Sequence, residues 1–369
     1  MRRRALLAAG LAAPWVARAQ GAAAGWQATF AKWAGDSAVR QGNLVVMRQG
    51  RVVHASGLGG LAPEARMPVW SLSKFITGTA IAQLVAEGRV ALEDSLGTAI
   101  PRTLAAARVP PDGPLGRLTL ALLLSHRSGL PHRINDESVP GLRALIASRP
   151  PARIGLADVQ ANILAMRPLQ TPGETHIYSN ANFLLLGMVV AEQRGRAYAE
   201  DTAARILAPA GIVAARMDPD WHVLDSTGGW RLAPAEYLAF LRHVLGRPNG
   251  LPPGVAQWMR TPAGKETGVG SRVHYALGSF IRPVQGGANF FHTGSWSWRQ
   301  ETPHGLVAPS SGSRFAYAAN GDAWCATYRP FPGDGATDTL DRQLWALLRT
   351  PAPDETGADQ FPALLRAAA

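Results

Sequence analysis

The chain has 369 residues, 47% of them apolar, a single cysteine and a formal net charge of +11. That length allows a large core and, by length alone, two domains; the lone Cys325 excludes an internal disulfide. The basic residues are scattered, with few aromatics between them, so the charge reads as surface composition and not as a nucleic-acid groove.

Arg2-Arg3-Arg4 precedes a short apolar run, Ala5 to Val16, and then Ala17-Arg18-Ala19, a small-x-small cleavage signature. Residues 1–19 are therefore read as a signal peptide, of the twin-arginine type by Arg3-Arg4-Ala5-Leu6-Leu7. The protein is expected to be exported, periplasmic or secreted. The run is too short to span a bilayer, no cysteine follows it, and no later segment suits a membrane helix, so no stable membrane anchor is expected. With the leader's four arginines set aside the net charge is +7.

Gly21 to Gly25 reads as a small-residue linker and Trp26 to Trp33 as a short helix. Asn43 to Arg48 and Arg51 to Ser56 are β-branched runs around Gln49-Gly50, a hairpin signal. Ser71-Leu72-Ser73-Lys74 opens an uncharged apolar helix that ends at Gly88. It lacks a polar face, which predicts burial on all sides. From Leu92 to about Asp225 the pattern is helical, broken by Pro110 to Pro114 and Pro150-Pro151. Within it, Asn180 to Arg194 is an apolar helix stopped by Gly195; beyond it, Pro234 to Leu245 is amphipathic and helical. Strands are expected at Tyr275 to Val284, Asn289 to Thr293, Leu306 to Ala308 and Arg314 to Ala319. Cys325 falls in a strand-end or loop context with no obvious base and reads as a packed thiol. A helix covers Asp338 to Arg349, and 351–369 reads as a loose tail.

Strands at both ends with helices between predict an α+β architecture. One central antiparallel sheet, drawn from about 26–91 and 226–350, is flanked by helices, with a helical lobe (about 92–225) inserted.

Four stretches carry chemistry. Ser71 and Lys74, three apart, share one helix face. A serine is a poor nucleophile without a base. The chain holds only three lysines (Lys32, Lys74, Lys265) against 34 arginines, and a guanidinium cannot give up its proton. Tyr178-Ser179-Asn180 sets a phenol and an amide on one side of an extended segment. His292-Thr293-Gly294-Ser295 ends a strand, with Gly294 allowing a substrate backbone to approach. The N–H groups of Ser71 and Ser295 are candidates for an oxyanion hole. Leu122 to Pro131, containing Ser125-His126-Arg127-Ser128-Gly129, is a loop signature in which His126, like the nearby His132, reads as a structural or rim residue.

Together these motifs resemble the class C β-lactamase and penicillin-binding-protein family of serine hydrolases, which includes D-Ala-D-Ala carboxypeptidases and β-lactamase-like esterases. The resemblance runs from about Asn43 to Asp322 and includes Leu92-Glu93-Asp94, Gly228-Gly229 and Asn182 to Gly187. The S-x-x-K element is Ser71 to Lys74, and Tyr178-Ser179-Asn180 is the Y-x-N form of the class C branch. The resemblance implies a β-lactamase/transpeptidase-like fold and an acyl-enzyme on Ser71. It implies that Lys74 and Tyr178 share the general-base work, Asn180 orients substrate, His292, Thr293 and Gly294 line the site, and Ser71 and Ser295 hold the oxyanion. Burial of Lys74 favours its neutral amine, and an adjacent cation favours the phenolate of Tyr178. His292 stands where class C β-lactamases carry lysine. That removes a fixed charge near a substrate carboxylate and favours esterase or peptidase over cephalosporinase activity. Trp296 and Trp298 narrow the acyl pocket.

The expected partner is a small ester, amide or lactam, or a cell-wall peptide, acting on a monomer. Asp218, Asp220 and His222 match no common zinc spacing, so no metal is expected, and no nucleotide motif suggests a cofactor. The alternative is a non-catalytic sensor of penicillin or peptidoglycan fragments on the same fold.

Overall fold

The run Leu44-Val45-Val46-Met47 is apolar at every position and has no face to offer water, so it belongs in a part of a sheet covered on both sides. The computed structural model bears this out. It describes residues 13–246, 250–262, 264–267, 272–350 and 359–368, with side chains from Gly25 onward. Strands β1 (Gln41–Arg48) and β2 (Arg51–Leu58) form the expected hairpin. Gln49 and Gly50 both take positive φ (47° and 82°), the two-residue turn that matches strand twist. The other strands of their sheet are β3 (His274–Ala276), β4 (Ser279–Val284), β5 (Gly287–Ser297), β6 (Ser310–Tyr317) and β7 (Ala323–Arg329). They make one seven-stranded antiparallel sheet in the order β2-β1-β7-β6-β5-β4-β3. The pairing of β1 with β7 joins the two ends of the chain.

The strand period of two splits the core. Leu44 and Val46 of β1, with Trp324 and Tyr328 of β7, pack under helices α1 (Ala13–Asp36) and α5 (Asp334–Arg349) through Phe30, Trp33, Leu340 and Leu344. Val45, Met47 and Cys325 face the other way. There they join helices α2 (Ser73–Ala86), α3 (Asn180–Arg194) and α4 (Pro234–Leu245) in a larger cluster. Trp33 pins the smaller face: its indole N–H donates to Ala336 O at 2.7 Å and its ring meets Tyr328 at 5.2 Å. Its truncation to alanine costs about 3–5 kcal/mol.

Several expectations are corrected. The 21–25 stretch is not a linker, because α1 runs through it; Ala22 to Ala24 are strong helix formers and offset the flanking glycines. Of the proposed leader, residues 1–12 lie outside the described residues and 13–19 are described only as helical backbone. The single strand expected at Tyr275 to Val284 is two, folded over at Leu277 and Gly278 (φ 53° and 88°). That fold has a packing reason. A β-carbon on Gly278 would lie 2.3 Å from the Lys74 backbone, and one on Gly78 would lie 2.1 Å from Leu277 O. The turn is thus pressed onto α2 beside Lys74. Cys325 sits mid-strand in β7 with its thiol pKa pushed up by burial. Beyond 350, residues 359–368 are docked, not loose. Helix α6 (Phe361–Ala368) buries Phe361 beneath the Arg242 guanidinium, 4.0 Å from its ring. Asp359 accepts the Val52 N–H and pairs with Arg242. Residues 351–358 lie outside the described residues.

Candidate active site

Ser71 lies in a short 3-10 turn, Trp70–Leu72, that feeds α2. Trp70 holds φ at 48°, a left-handed conformation that costs a non-glycine residue about 1 kcal/mol. It is fixed there by burial and by its indole N–H, which donates to Ser311 Oγ at 2.9 Å. One turn on, Lys74 is fully buried, and burial holds its pKa well below the usual lysine value. Its Nζ lies 3.1 Å from Ser71 Oγ, and donates to Asn180 Oδ1 and Thr227 O at 2.8 Å each. The last two partners can only accept. A neutral amine has two N–H bonds and one lone pair, so with both N–H groups committed the lone pair faces the Ser71 hydroxyl.

The segment carrying Tyr178 and Asn180 is clamped by His126, which sequence reading took for a structural or rim residue. The His126 carbonyl accepts the Ile177 N–H at 2.8 Å. Its Nδ1 accepts the Ser179 N–H at 3.3 Å and Asn182 Nδ2 at 2.8 Å. Ser128 Oγ donates to Asn182 Oδ1 at 2.6 Å, which fixes the amide so that Nδ2 points at His126. His126 Nδ1 is therefore unprotonated. Burial, with His176 and Lys74 nearby, holds the ring's pKa well below its ordinary value. The ring packs 4.3 Å from that of Tyr178, while His132 Nδ1 donates to Tyr178 O at 2.7 Å. Only the Ser125 to Gly129 loop signature pointed here.

The Tyr178 hydroxyl is buried and makes no hydrogen bond of normal geometry. Burial raises its pKa, and the nearby Ser71 hydroxyl offsets part of the rise. The phenol therefore stays protonated at rest. The phenolate expected from an adjacent cation is opposed by burial, which raises the Tyr178 pKa and lowers that of the Lys74 amine.

Strand β5 closes the site. Ser279 Oγ on β4 donates to Phe291 O at 3.4 Å, and Trp298 N donates to Pro309 O on the β6 side. Alternation along the strand then turns the N–H groups of Thr293 and Ser295 toward the β4 side. Pairing with β4 stops at Phe291, so that edge is open beside Ser71. Gly294 is where the expectation is extended. A β-carbon there would lie 2.4 Å from Val69 O and 3.0 Å from Ser71 N. The glycine lets β5 press against the Ser71 turn, a close approach of two backbones that comes in addition to the expected one of substrate. His292 is buried and neutral: Nδ1 donates to Thr293 O at 2.7 Å and Nε2 accepts from the Tyr275 hydroxyl at 3.1 Å. Burial, then Lys74, pulls its pKa down to about 3.

These groups surround a cavity of about 800 Å³ lined by Ser71, Tyr178, Asn180, His292, Thr293 and Ser295, with Lys74 beneath. Asp218 and His222 are engaged elsewhere. Asp218 accepts the Asp220 and Trp221 N–H groups and pairs with Arg231, while His222 contacts the Pro219 and Ile154 carbonyls. Among the described residues no cluster is placed to hold a metal, and no helix is long and apolar enough to cross a membrane.

The sheet, its flanking helices and the inserted lobe define a β-lactamase/transpeptidase-like fold. The chain belongs to the β-lactamase family, whose model matches residues 26–329. A D-aminopeptidase of Brucella ovis is 31% identical over 201 residues, covering 51% of this chain and 35% of the relative. The chain thus spans about a third of the length of the curated relatives it matches. Among solved structures, a D-stereospecific amidohydrolase from Streptomyces superposes with a TM-score of 0.70 at 21% identity, over 89% of this chain and 99% of that one. An octameric penicillin-binding protein homologue from Pyrococcus abyssi also gives 0.70, at 18% identity, over 89% and 78%.

Proposed function

We propose that this chain is an exported serine hydrolase that cleaves the amide or ester bond of a small D-aminoacyl substrate through an acyl-enzyme on Ser71. One observation carries the proposal: a buried lysine amine lies 3.1 Å from the serine hydroxyl, with its other contacts both acceptors. Ser71 Oγ attacks the substrate carbonyl as its proton passes to Lys74 Nζ, and the oxyanion forms between the N–H groups of Ser71 and Ser295. Tyr178, protonated at rest, gives its proton to the leaving amine or alkoxide, and the Lys74 ammonium returns one to the phenolate. In the second half, water attacks the acyl-enzyme, Lys74 and Tyr178 carry the water's proton back to Ser71 Oγ, and the acid departs. Asn180 holds Lys74 through Oδ1; its Nδ2 donates one N–H to Ser138 O at 3.4 Å and has a second for the substrate.

The neutral His292 gives a substrate carboxylate no fixed cation at that point, which favours amides and esters over β-lactams and D-Ala-D-Ala peptides. The D-configuration is suggested by the D-aminopeptidase and D-stereospecific amidohydrolase relatives. Export is suggested by Arg2 to Arg4 ahead of Ala5 to Val16; its test is N-terminal sequencing of the protein from the producing cell, where a start at Gln20 would support export and an intact leader on cytoplasmic protein would contradict it.

The test is turnover of D- and L-aminoacyl nitroanilides and a short nitrophenyl ester by the protein and its Ser71→Ala variant. Many turnovers per protein, D above L, and loss in Ser71→Ala are expected. Uptake of a single equivalent without turnover would point to a sensor instead.

A further inference from the structure

Four tryptophans from separate parts of the chain meet beside Ser71. Trp70 directly precedes it, Trp296 directly follows Ser295, Trp298 lies two residues further on, and Trp221 arrives from the turn before Asp225. Trp70 stacks on Trp296 at 6.0 Å and 22°. Trp221 meets the other three edge-on, at 6.4 Å from Trp70, 5.9 Å from Trp296 and 5.7 Å from Trp298. Trp70 and Trp221 are buried, whereas Trp296 and Trp298 keep part of their surface exposed. Trp70, Trp296 and Trp298 line the cavity together with Val139, Leu142 and Leu224. An apolar wall of this size facing solvent gains on the order of 25 cal/mol for each Å² that a ligand covers, and indole faces and edges favour a further ring.

The geometry of attack gives the wall its occupant. With the carbonyl carbon over Ser71 Oγ and its oxygen toward the Ser71 and Ser295 N–H groups, the leaving group lies toward Tyr178, which protonates it. The acyl side chain takes the opposite direction, along β5 past Ser295, where Trp296 and Trp298 stand. The exposed Arg143 guanidinium lies 5.8 Å from the Trp298 ring, and Asp136 and Glu137 share its part of the cavity lining, so it is the cost of taking an ammonium out of water against the indoles that sets a lysyl side chain apart.

We infer that the tryptophan wall is the acyl side-chain subsite and selects a large neutral aromatic group, such as D-phenylalanyl, over D-alanyl and D-lysyl. This rests on the proposed hydrolase reading. The experiment compares kcat/KM for D-Phe, D-Ala and D-Lys nitroanilides, one leaving group throughout, in the protein and in Trp298→Ala, with Trp298→Leu as a gentler second variant. The expected preference for D-Phe over D-Ala is roughly 10–100-fold, falling at least fivefold in either variant. Equal rates for D-Phe and D-Ala, or a ratio that both variants leave unchanged, would overturn the subsite while leaving the hydrolase reading intact. A binding measurement stands apart from turnover. D-phenylalanine amide should shift tryptophan emission of Ser71→Ala at lower concentration than D-alanine amide, and the difference should shrink when Trp298→Ala is added. Equal concentrations for the two amides would overturn the subsite even if no nitroanilide is turned over, whereas absent turnover with a clear D-Phe binding preference would contradict only the hydrolase reading.

Discussion

Lys74 Nζ stands 3.1 Å from Ser71 Oγ, while its two other partners, Asn180 Oδ1 and Thr227 O, can only accept. Burial of the amine and this one-sided partnering push in the same direction, toward a lone pair aimed at the serine proton.

Lys74→Arg puts a permanent cation where a neutral amine is needed and removes the dissociable proton, so kcat/KM should fall by about 10³ or more. In the unaltered protein Lys74 must be neutral, and its pKa is lowered. The rate should therefore rise with pH through that lowered pKa and level off well below the ordinary lysine value. A pH–rate profile whose only limb lies near pH 10 would contradict this.

His126 acts on the site through Tyr178 and Asn180, holding Ser179 N–H and the Asn182 amide at Nδ1. His126→Phe keeps a ring and loses the acceptor. A misplacement of the clamped segment by about 1 Å is worth roughly 10² in rate, so kcat should fall by 10- to 100-fold with a smaller change in KM. His126→Asn, whose side-chain oxygen reaches the Nδ1 position, should recover much of it. Equal losses in both variants would mean that only packing matters.

Gly294→Ala puts a β-carbon against Val69 O and Ser71 N. The strand must move away from the Ser71 turn, so kcat should drop at least 10²-fold. Overpacking should also cost about 1–3 kcal/mol in denaturant unfolding. An alanine variant with full activity would show that this contact does not set the site.

Asp225 is buried with Oδ1 unpartnered, and burial raises its pKa to about 7, with hydrogen bonds from Ser226 working against the rise. Because the folded value lies above the unfolded one, the folded state binds the extra proton. The associated stability is present below about pH 4 and is lost as pH rises toward 7. Asp225→Asn is neutral throughout. It should raise stability at pH 8 by about 2–4 kcal/mol, and the gain should vanish near pH 4. Melting curves at the two pH values check it.

How much of this could be read from the sequence depended on how local each signal was. The Gln49-Gly50 hairpin and the Gly195 stop after α3 rest on short-range turn chemistry and were legible. The turn at Leu277-Gly278 was not, because leucine rarely takes positive φ and the turn is held by contact with α2, distant in sequence. Strand β7 was missed because Ala323-Trp324-Cys325-Ala326 lacks β-branched residues; it is a strand because β1 and β6 flank it. At the site, the side chains Ser71, Lys74, Tyr178 and Asn180 could be picked out by type and spacing. Thr227 could not, since it contributes a backbone carbonyl, a group every residue has. His126 carried a motif but no role until its partners were known.

The central claim is an acyl group on Ser71. The direct measurement is intact-mass analysis after rapid acid quench of the protein with a D-phenylalanyl nitrophenyl ester, followed by peptide mapping. The prediction is a transient mass increase of one aminoacyl group on the peptide holding Ser71, absent from Ser71→Ala and slow to form in Lys74→Arg. An acyl group mapped to another residue, or full turnover by Ser71→Ala, would contradict it.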